Sequence, residues 1–490
     1  MFRRTPWLTR LAALTVVLAL LATLTGASLA ASSTPAGAQS AFDNKVVKRV
    51  DAARAIEHVR VLSEEIGPRP AGTAAEWQAA QYIASVLRRY GYDVELQTFP
   101  TPDQYIATVT LPDGTAWQMG ASRYGLITGD HPVRGPVVFA GRGLADEEFP
   151  ADVSGKVVLM EYVASARDVQ VANAAARGAA AVILYSTVGS RGNYGSAFSP
   201  SLSTTYDIPI LGAALVQGQQ LKDMIARGGV EVSIITRHYA NLQSVNVIGS
   251  RPASSGDPDA PVVIVSSHLD SVVGAPGAND DASGVGLALE LARVLKSYNI
   301  DKELRFIFFG AEERGLVGSR YYVEHLSDAE AGRIVGVFQA DMVATSYPNV
   351  THLYAMTVDG ATNLVTDAAM AAGARLGNAS ILPGQFGSSD HVPFHYRGIP
   401  AALFIWMRVD SWDPLVYDIE KVYHTPQDTI AENISPDRMQ TALEIIGAAV
   451  FDLVRKDVPA LHKAPHRSED AQARVAAWAA RHDDTDPYGP

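Results

Sequence analysis

Through the second half of the chain, short apolar runs alternate with longer stretches whose apolar positions recur at helical spacing. Residues 262–265 (V-V-I-V), 304–309 (L-R-F-I-F-F), 334–338 (I-V-G-V-F) and 401–405 (A-A-L-F-I) read as strands. Between and after them, residues 282–295 carry Val285, Leu289, Ala292 and Leu295 on one helical face, and 316–325, 361–375 and 436–454 read as further helices. Short apolar strands separated by helices predict an α/β fold: a three-layer αβα arrangement with a mostly parallel sheet covered on both faces. Upstream, residues 51–65 read as a helix and Gly67-Pro68-Arg69-Pro70 as a turn. Thr73 with Glu76 three residues on suggests a capping box for a helix that carries Ala80, Ile83, Ala84 and Leu87 and ends at Tyr90-Gly91. Residues 94–99 alternate like a strand.

The stretch 111–237 has a different texture, rich in Gly and Ala. Its strands at 136–139, 156–160 and 180–185 are short, with a helix over 169–176. None of its carboxylates forms a ligand pattern with a histidine, so it reads as an inserted, smaller, β-rich domain. The predicted organisation is then a leader over 1–38, a main domain in two parts (42–110 and 243–457), the insert at 111–237 and a mobile tail over 458–490. The leader has the form of a secretory signal. Arg3, Arg4 and Arg10 precede an apolar run at 11–24, and small residues end at Ala30 or Ala38. The apolar run is shorter than the ~20 residues that span a bilayer, which favours cleavage over a retained anchor. Residues 31–41 read as a processing linker, so the mature protein is expected outside the cell with no stable membrane anchor.

Composition narrows the function. At 490 residues the chain exceeds one ordinary core, and 19% charged residues suit a globular protein. A formal net charge of -12 argues against nucleic acid as a partner, because that affinity rests on Lys and Arg against phosphates. The chain has 0 cysteines. That excludes a thiol nucleophile and cysteine-ligated zinc, and any metal must be held by His, Asp and Glu.

The segment S-S-H-L-D-S-V-V-G-A-P-G-A-N-D-D-A-S-G, residues 266–284, follows the first strand of the series. It holds His268, Asp270, Asp280 and Asp281 and no lysine or arginine. Ionised carboxylates resist burial unless something pairs them, so either a metal or a solvated loop accounts for this run. In parallel sheets, ligands gather at the carboxyl ends of strands. Glu312 and Glu313 follow the strand at 304–309, Asp341 follows the strand at 334–338, and His424 lies in V-Y-H-T-P-Q-D beyond the last strand. Each alone reads equally well as a turn or surface residue. Together they give two histidines and several acids at one sheet edge, the inventory of a two-metal site.

H-L-D, N-D-D-x-S-G, G-x-E-E, the Asp-Met after a strand, and Y-H-T-P-x-D, in this order, resemble the co-catalytic di-zinc aminopeptidase and glutamate carboxypeptidase family. The resemblance covers roughly residues 50–110 and 243–457. The insert, with S-G-K-V-V-L-M and G-A-A-A-V-I-L-Y, resembles the protease-associated domain that some members carry there. The resemblance implies two zinc ions per chain, with Asp280 bridging them, His268 and Asp341 completing one site, and Glu313 and His424 the other. It implies Glu312 as the general base, Asp270 as a partner for the other ring nitrogen of His268, and a cis peptide between Asp280 and Asp281. Tyr423 is a candidate for steadying the oxyanion. Asp390 and His391, in G-S-S-D-H-V-P-F, would shape the loop rather than bind metal. The implied activity is removal of residues, apolar ones foremost, from peptide or protein N-termini; the sequence sets no oligomeric state. A carboxypeptidase or dipeptidase, a glutaminyl cyclase and a metal-free binding protein are the alternatives. A glutamate-specific pocket could draw on Arg314, Arg397 or Arg408, and an apolar one on Phe386, Phe404, Trp406 or Met407; each is equally a core or surface residue.

Overall fold

The structure, a computed structural model, describes residues 36–187, 195–413 and 415–455, with side chains from Phe42 onward. The tail at 458–490 and all but the last residues of the leader lie outside this range. Residues 36–38 begin the helix Ala36–Val47, so the stretch read as a linker is helical from Ala36; alanine supplies the propensity. Among the described residues no helix is long and apolar enough to cross a membrane.

The strands fall into two sheets. β1 (Asp93–Pro100) opens the larger one. Next come β2 (Gln104–Thr110), β3 (Ala116–Ala121), β4 (Val133–Phe139), β5 (Val157–Glu161), β6 (Ala181–Tyr185), β7 (Ile210–Ala213) and β8 (Glu231–Tyr239). These seven close into a barrel in the order β2-β3-β7-β6-β5-β4-β8, filled by side chains such as Val109, Met119, Leu159, Ile183 and Ile234. The barrel includes β2, which the sequence reading leaves in the main domain; Ala107 and Val109 face its core.

The larger sheet resumes with β9 (Gln243–Arg251), β10 (Val262–His268), β11 (Glu303–Phe309), β12 (Ile334–Ala340), β13 (His352–Thr357), β14 (Ile381–Gln385), β15 (Ala401–Trp412) and β16 (Leu415–Asp418). Its order is β1-β9-β11-β10-β12-β15-β13-β14, with β16 paired to β15. The central strands β11, β10, β12 and β15 run parallel. Antiparallel pairs lie toward the edges, at β1–β9, β9–β11 and β13–β15. Every residue of β10 and β12 is buried, as expected of strands covered on both faces.

On one face, Val262, Ile264, Ile307 and Phe309 pack against Tyr322, Val323 and Phe394, which belong to the helices Val317–Glu324 and His391–Tyr396. The other face carries the helices Ala52–Arg60, Ala74–Tyr90, Ala282–Leu295 and Pro436–Arg455. Only Arg293 of the helix Ala282–Leu295 escapes burial. Its close fit depends on Gly286, where a Cβ would stand 2.5 Å from the Ala55 carbonyl oxygen.

Thr73 caps the helix Ala74–Tyr90 as expected, but the capping box is not completed. The Glu76 carboxylate instead reaches Gly72, Ser244 and Ala311.

Candidate functional site

His268 is the last residue of β10, Asp341 follows β12 by one residue, and Glu312 and Glu313 form a single 3-10 turn just beyond β11. Because β11, β10 and β12 are adjacent and parallel, their carboxyl ends open onto one edge. His424 reaches the same edge from the loop after β16.

Asp280 stands at the centre. Its Oδ1 lies 3.1 Å from His268 Nε2 and its Oδ2 lies 3.0 Å from His424 Nε2. Glu313 Oε2 is 3.1 Å from the same His424 nitrogen, and Asp341 Oδ1 is 3.8 Å from His268 Nε2. All five residues implied by the resemblance thus meet, in two groups that share Asp280. Asp341 Oδ1, Glu313 Oε1 and His424 Nε2 are buried without a hydrogen-bond partner. Buried polar atoms are almost always satisfied, so this set of N and O donors, aimed inward and unsatisfied, fits metal ions.

The surrounding groups fix this arrangement. Asp270 accepts the N–H groups of Glu312 (3.0 Å) and Glu313 (3.3 Å), and its Oδ1 lies 3.6 Å from His268 Nδ1. The Asp280–Asp281 peptide is cis. Asp281 is near enough to His268 and Asp341 to join a ligand set, but its oxygens accept the N–H groups of His268 (3.1 Å), Gly284 (2.8 Å) and Met342 (3.3 Å). It therefore holds backbone. Gly284 allows this, since a Cβ there would come within 2.2 Å of the Ala340 carbonyl oxygen. Of five non-glycine residues with positive φ among the described residues, four flank the site: Ala311, Leu316, Met342 and His424. Such strain concentrates where surrounding structure over-determines the backbone.

Burial pushes the Glu312 carboxyl well above its ordinary range; His268 opposes the rise, and Asp390, Glu313 and Asp341 add to it. Glu313 is pushed up to about 7, again chiefly by burial. The Tyr423 ring stacks on His424 with centroids 3.7 Å apart, and burial holds its phenol well above 10, so the O–H stays a donor. His391 donates Nε2–H to the Phe386 carbonyl (2.8 Å) and is turned to the loop. Burial pushes Asp390 beside it up to about 8.

Four contributors escaped the sequence reading. Ser389 Oγ donates to Asp341 Oδ2 at 2.7 Å. Asp428 accepts the N–H groups of Asn279 and Asp280. Glu420 accepts from the Asn279 side chain at 2.6 Å. The buried Arg69 guanidinium donates to the carbonyls of Leu62, Gly67, Leu269, Pro276 and Gly277, tying the segment before the site to the loop that forms it. Ser389 and Asp428 sit inside motifs already singled out, but nothing local marks Arg69 or Glu420.

The site opens into a cavity of about 660 Å³. One wall is apolar, with Met342, Phe386, Ile405, Met407 and Tyr417; the barrel supplies another through residues 196–199. Phe404 and Trp406 do not line it, because alternation along β15 turns them from Ile405 and Met407. Arg314 lines the cavity, whereas Arg397 pairs with Asp328 and Arg408 with Asp410.

Residues 246–450 match the model of peptidase family M28, and residues 133–221 match that of the PA domain. Aminopeptidase YwaD of Bacillus subtilis is 40% identical over 408 residues, 83% of this chain and 86% of that one. The chain belongs to peptidase family M28. A probable leucine aminopeptidase 2 of Aspergillus fumigatus is 32% identical over 351 residues, 67% of this chain and 66% of that protein. Among solved structures, a zinc aminopeptidase from Bacillus subtilis superposes with a TM-score of 0.60 at 38% identity, covering 86% of this chain and 99% of that one. An aminopeptidase from Aneurinibacillus sp. strain AM-1 follows at 0.52 and 33%, covering 86% and 98%. In this M28 chain, then, a mixed α/β peptidase domain carries an inserted PA domain.

Proposed function

We propose that the protein is an exported aminopeptidase that removes apolar residues from peptide and protein N-termini. Two zinc ions would be held by Asp280 between them, His268 and Asp341 on one side, and Glu313 and His424 on the other. The observation that carries this reading is the division of the Asp280 carboxylate, one oxygen toward each histidine at 3.1 and 3.0 Å. The names of the relatives support the aminopeptidase class and zinc. The basic-then-apolar leader supports export. The apolar wall of Met342, Phe386, Ile405 and Met407 supports the residue preference.

Zinc, when bound, would supply an acidified water and polarise the scissile carbonyl. Glu312 does the proton work: it takes the proton of the attacking water and returns it to the leaving amine as the C–N bond breaks. Its buried carboxyl, raised by desolvation and restrained by cationic charge, suits a group that must both accept and give back a proton. Glu313 is free for metal because the base is the adjacent residue. Asp270 steadies both by taking their N–H groups, and it faces His268 Nδ1, which orients the ring. Tyr423 O–H is a donor for the tetrahedral oxyanion.

The test uses zinc-loaded protein and a mixture of free and N-acetylated peptides, read by mass spectrometry. Stepwise N-terminal loss from the free peptides alone, abolished in Glu312→Ala, is expected. C-terminal loss from both sets means a carboxypeptidase, and ammonia loss from N-terminal glutamine means a cyclase; either outcome overturns the reading.

A further inference from the structure

Glu76 lies outside the five motifs that carry the site, yet its carboxylate is fully buried beside it. No lysine or arginine forms an ion pair with it among the described residues. A buried carboxylate without a cation depends on hydrogen bonds, and Glu76 has three. Oε2 accepts Gly72 N–H at 2.7 Å, while Oε1 accepts Ser244 Oγ–H at 2.6 Å and Ala311 N–H at 3.2 Å. Ala311 precedes Glu312 and holds φ at 52°, a conformation that a non-glycine residue adopts only under constraint.

The bond to Ala311 belongs to a series. Gly310 N–H is taken by Asn246 Oδ1 at 3.1 Å, Ala311 N–H by Glu76, and Glu312 and Glu313 N–H by Asp270. Four successive amides leaving β11 thus each meet a side-chain acceptor. Gly310 lets the acceptors come close, since a Cβ there would stand 2.8 Å from Glu76 Oε1 and 2.3 Å from Ser244 Oγ. Capping does not explain Glu76, whose side chain bonds Gly72 rather than the Thr73 amide.

We propose that Glu76 is a positioning residue for the general base: it fixes the Ala311 peptide from behind and so sets where the Glu312 carboxylate stands. The proposal rests on the reading of Glu312 under Proposed function. Misplacing a reacting group by about 1 Å costs on the order of a hundredfold in rate, so a partial loss of this constraint is visible in kcat.

The experiment compares Glu76→Ala, Glu76→Asp, Glu76→Gln and Thr73→Ala by kcat and KM on leucine para-nitroanilide, zinc per chain and Tm. Glu76→Ala is expected to lower kcat by roughly tenfold or more, with KM within about twofold and zinc unchanged. Glu76→Asp keeps the carboxyl group but cannot span Gly72 and Ala311 together, and loses several-fold in kcat. Glu76→Gln keeps an acceptor for Ala311 and recovers most of it. Thr73→Ala removes the cap of the same helix, lowering Tm with kcat unchanged. The proposal falls if Glu76→Asp, or a folded Glu76→Ala, keeps full kcat. It also falls if zinc loss or a matching KM rise accounts for the defect, or if Gln does no better than Ala. Active wild type with active variants overturns this proposal alone; a wild type inert on the anilide overturns the aminopeptidase reading and this one with it.

Discussion

Asp428 Oδ2 accepts the backbone N–H of Asp280 at 3.1 Å. The other Asp428 oxygen takes Asn279 N–H at 2.9 Å, so one buried carboxylate holds the backbone on both sides of the Asn279–Asp280 peptide. Asp428→Ala leaves both amides unpaired in a dry setting, at a cost of ~1–3 kcal/mol each. The expected result is a zinc affinity weaker by roughly 10–100-fold, as for other supports of metal ligands. A competition titration against a chromogenic chelator measures it; unchanged affinity removes Asp428 from this role.

The sharing of Asp280 predicts the metal stoichiometry. His424→Ala removes a ligand from one side only, so zinc per chain by elemental analysis should drop from two to about one. Asp280→Ala should bring it close to zero. Equal losses from both variants contradict two groups joined through one carboxylate.

Glu312 belongs to neither group of clustered metal-ligand candidates, so Glu312→Gln should keep its zinc while kcat falls by on the order of 10²–10⁴. Steady-state kinetics on leucine para-nitroanilide with parallel metal analysis separates the two. Near-normal kcat in a zinc-replete variant moves the base elsewhere.

The apolar wall predicts a size filter. Met407→Trp fills the cavity beside Ile405, and kcat/KM for N-terminal leucine or phenylalanine should fall about tenfold or more relative to alanine. Proportional losses for all three show that Met407 does not touch the N-terminal side chain.

Away from the site, His58 makes the stability pH-dependent. Burial pushes its imidazole down to about 4 from 6.5, and Nδ1 lies 2.7 Å from the Tyr82 hydroxyl. Between those values the unfolded chain binds more protons, so stability is lost as pH falls from about 6.5 to about 4, by at most ~3 kcal/mol. In His58→Gln, which is neutral throughout, urea midpoints should fall less across that window. Parallel slopes for both proteins assign the acid sensitivity to other groups.

Part of this was legible in the sequence because the evidence is local. β10 and β12 open on apolar runs, and His268, Glu312 and Asp341 each sit within a few residues of a strand end. β14 was not legible: I-L-P-G-Q carries proline and glycine, which an edge strand tolerates and a pattern rule rejects. β16 is largely exposed and lacks a buried face to set its period. The supports of the site were invisible for a different reason. Asp428 meets Asp280 across 148 residues and Glu76 meets Ala311 across 235, and no spacing rule reaches that far. Glu76 even had a satisfactory local explanation, as a capping partner, that the tertiary structure overrode.

Arg69 has consequences for the order in which the molecule can be built. Its partners Leu269, Pro276 and Gly277 lie 200, 207 and 208 residues further along, beyond the entire barrel. During synthesis the barrel strands emerge and can close while Arg69 still lacks these acceptors. Domains generally fold as units from the N-terminal side, but here the first segment must wait for the third. A nascent chain ending near residue 260 should therefore carry a protease-resistant barrel flanked by a cleavable segment around Arg69, and resistance there should appear only once residues 269–277 have left the ribosome.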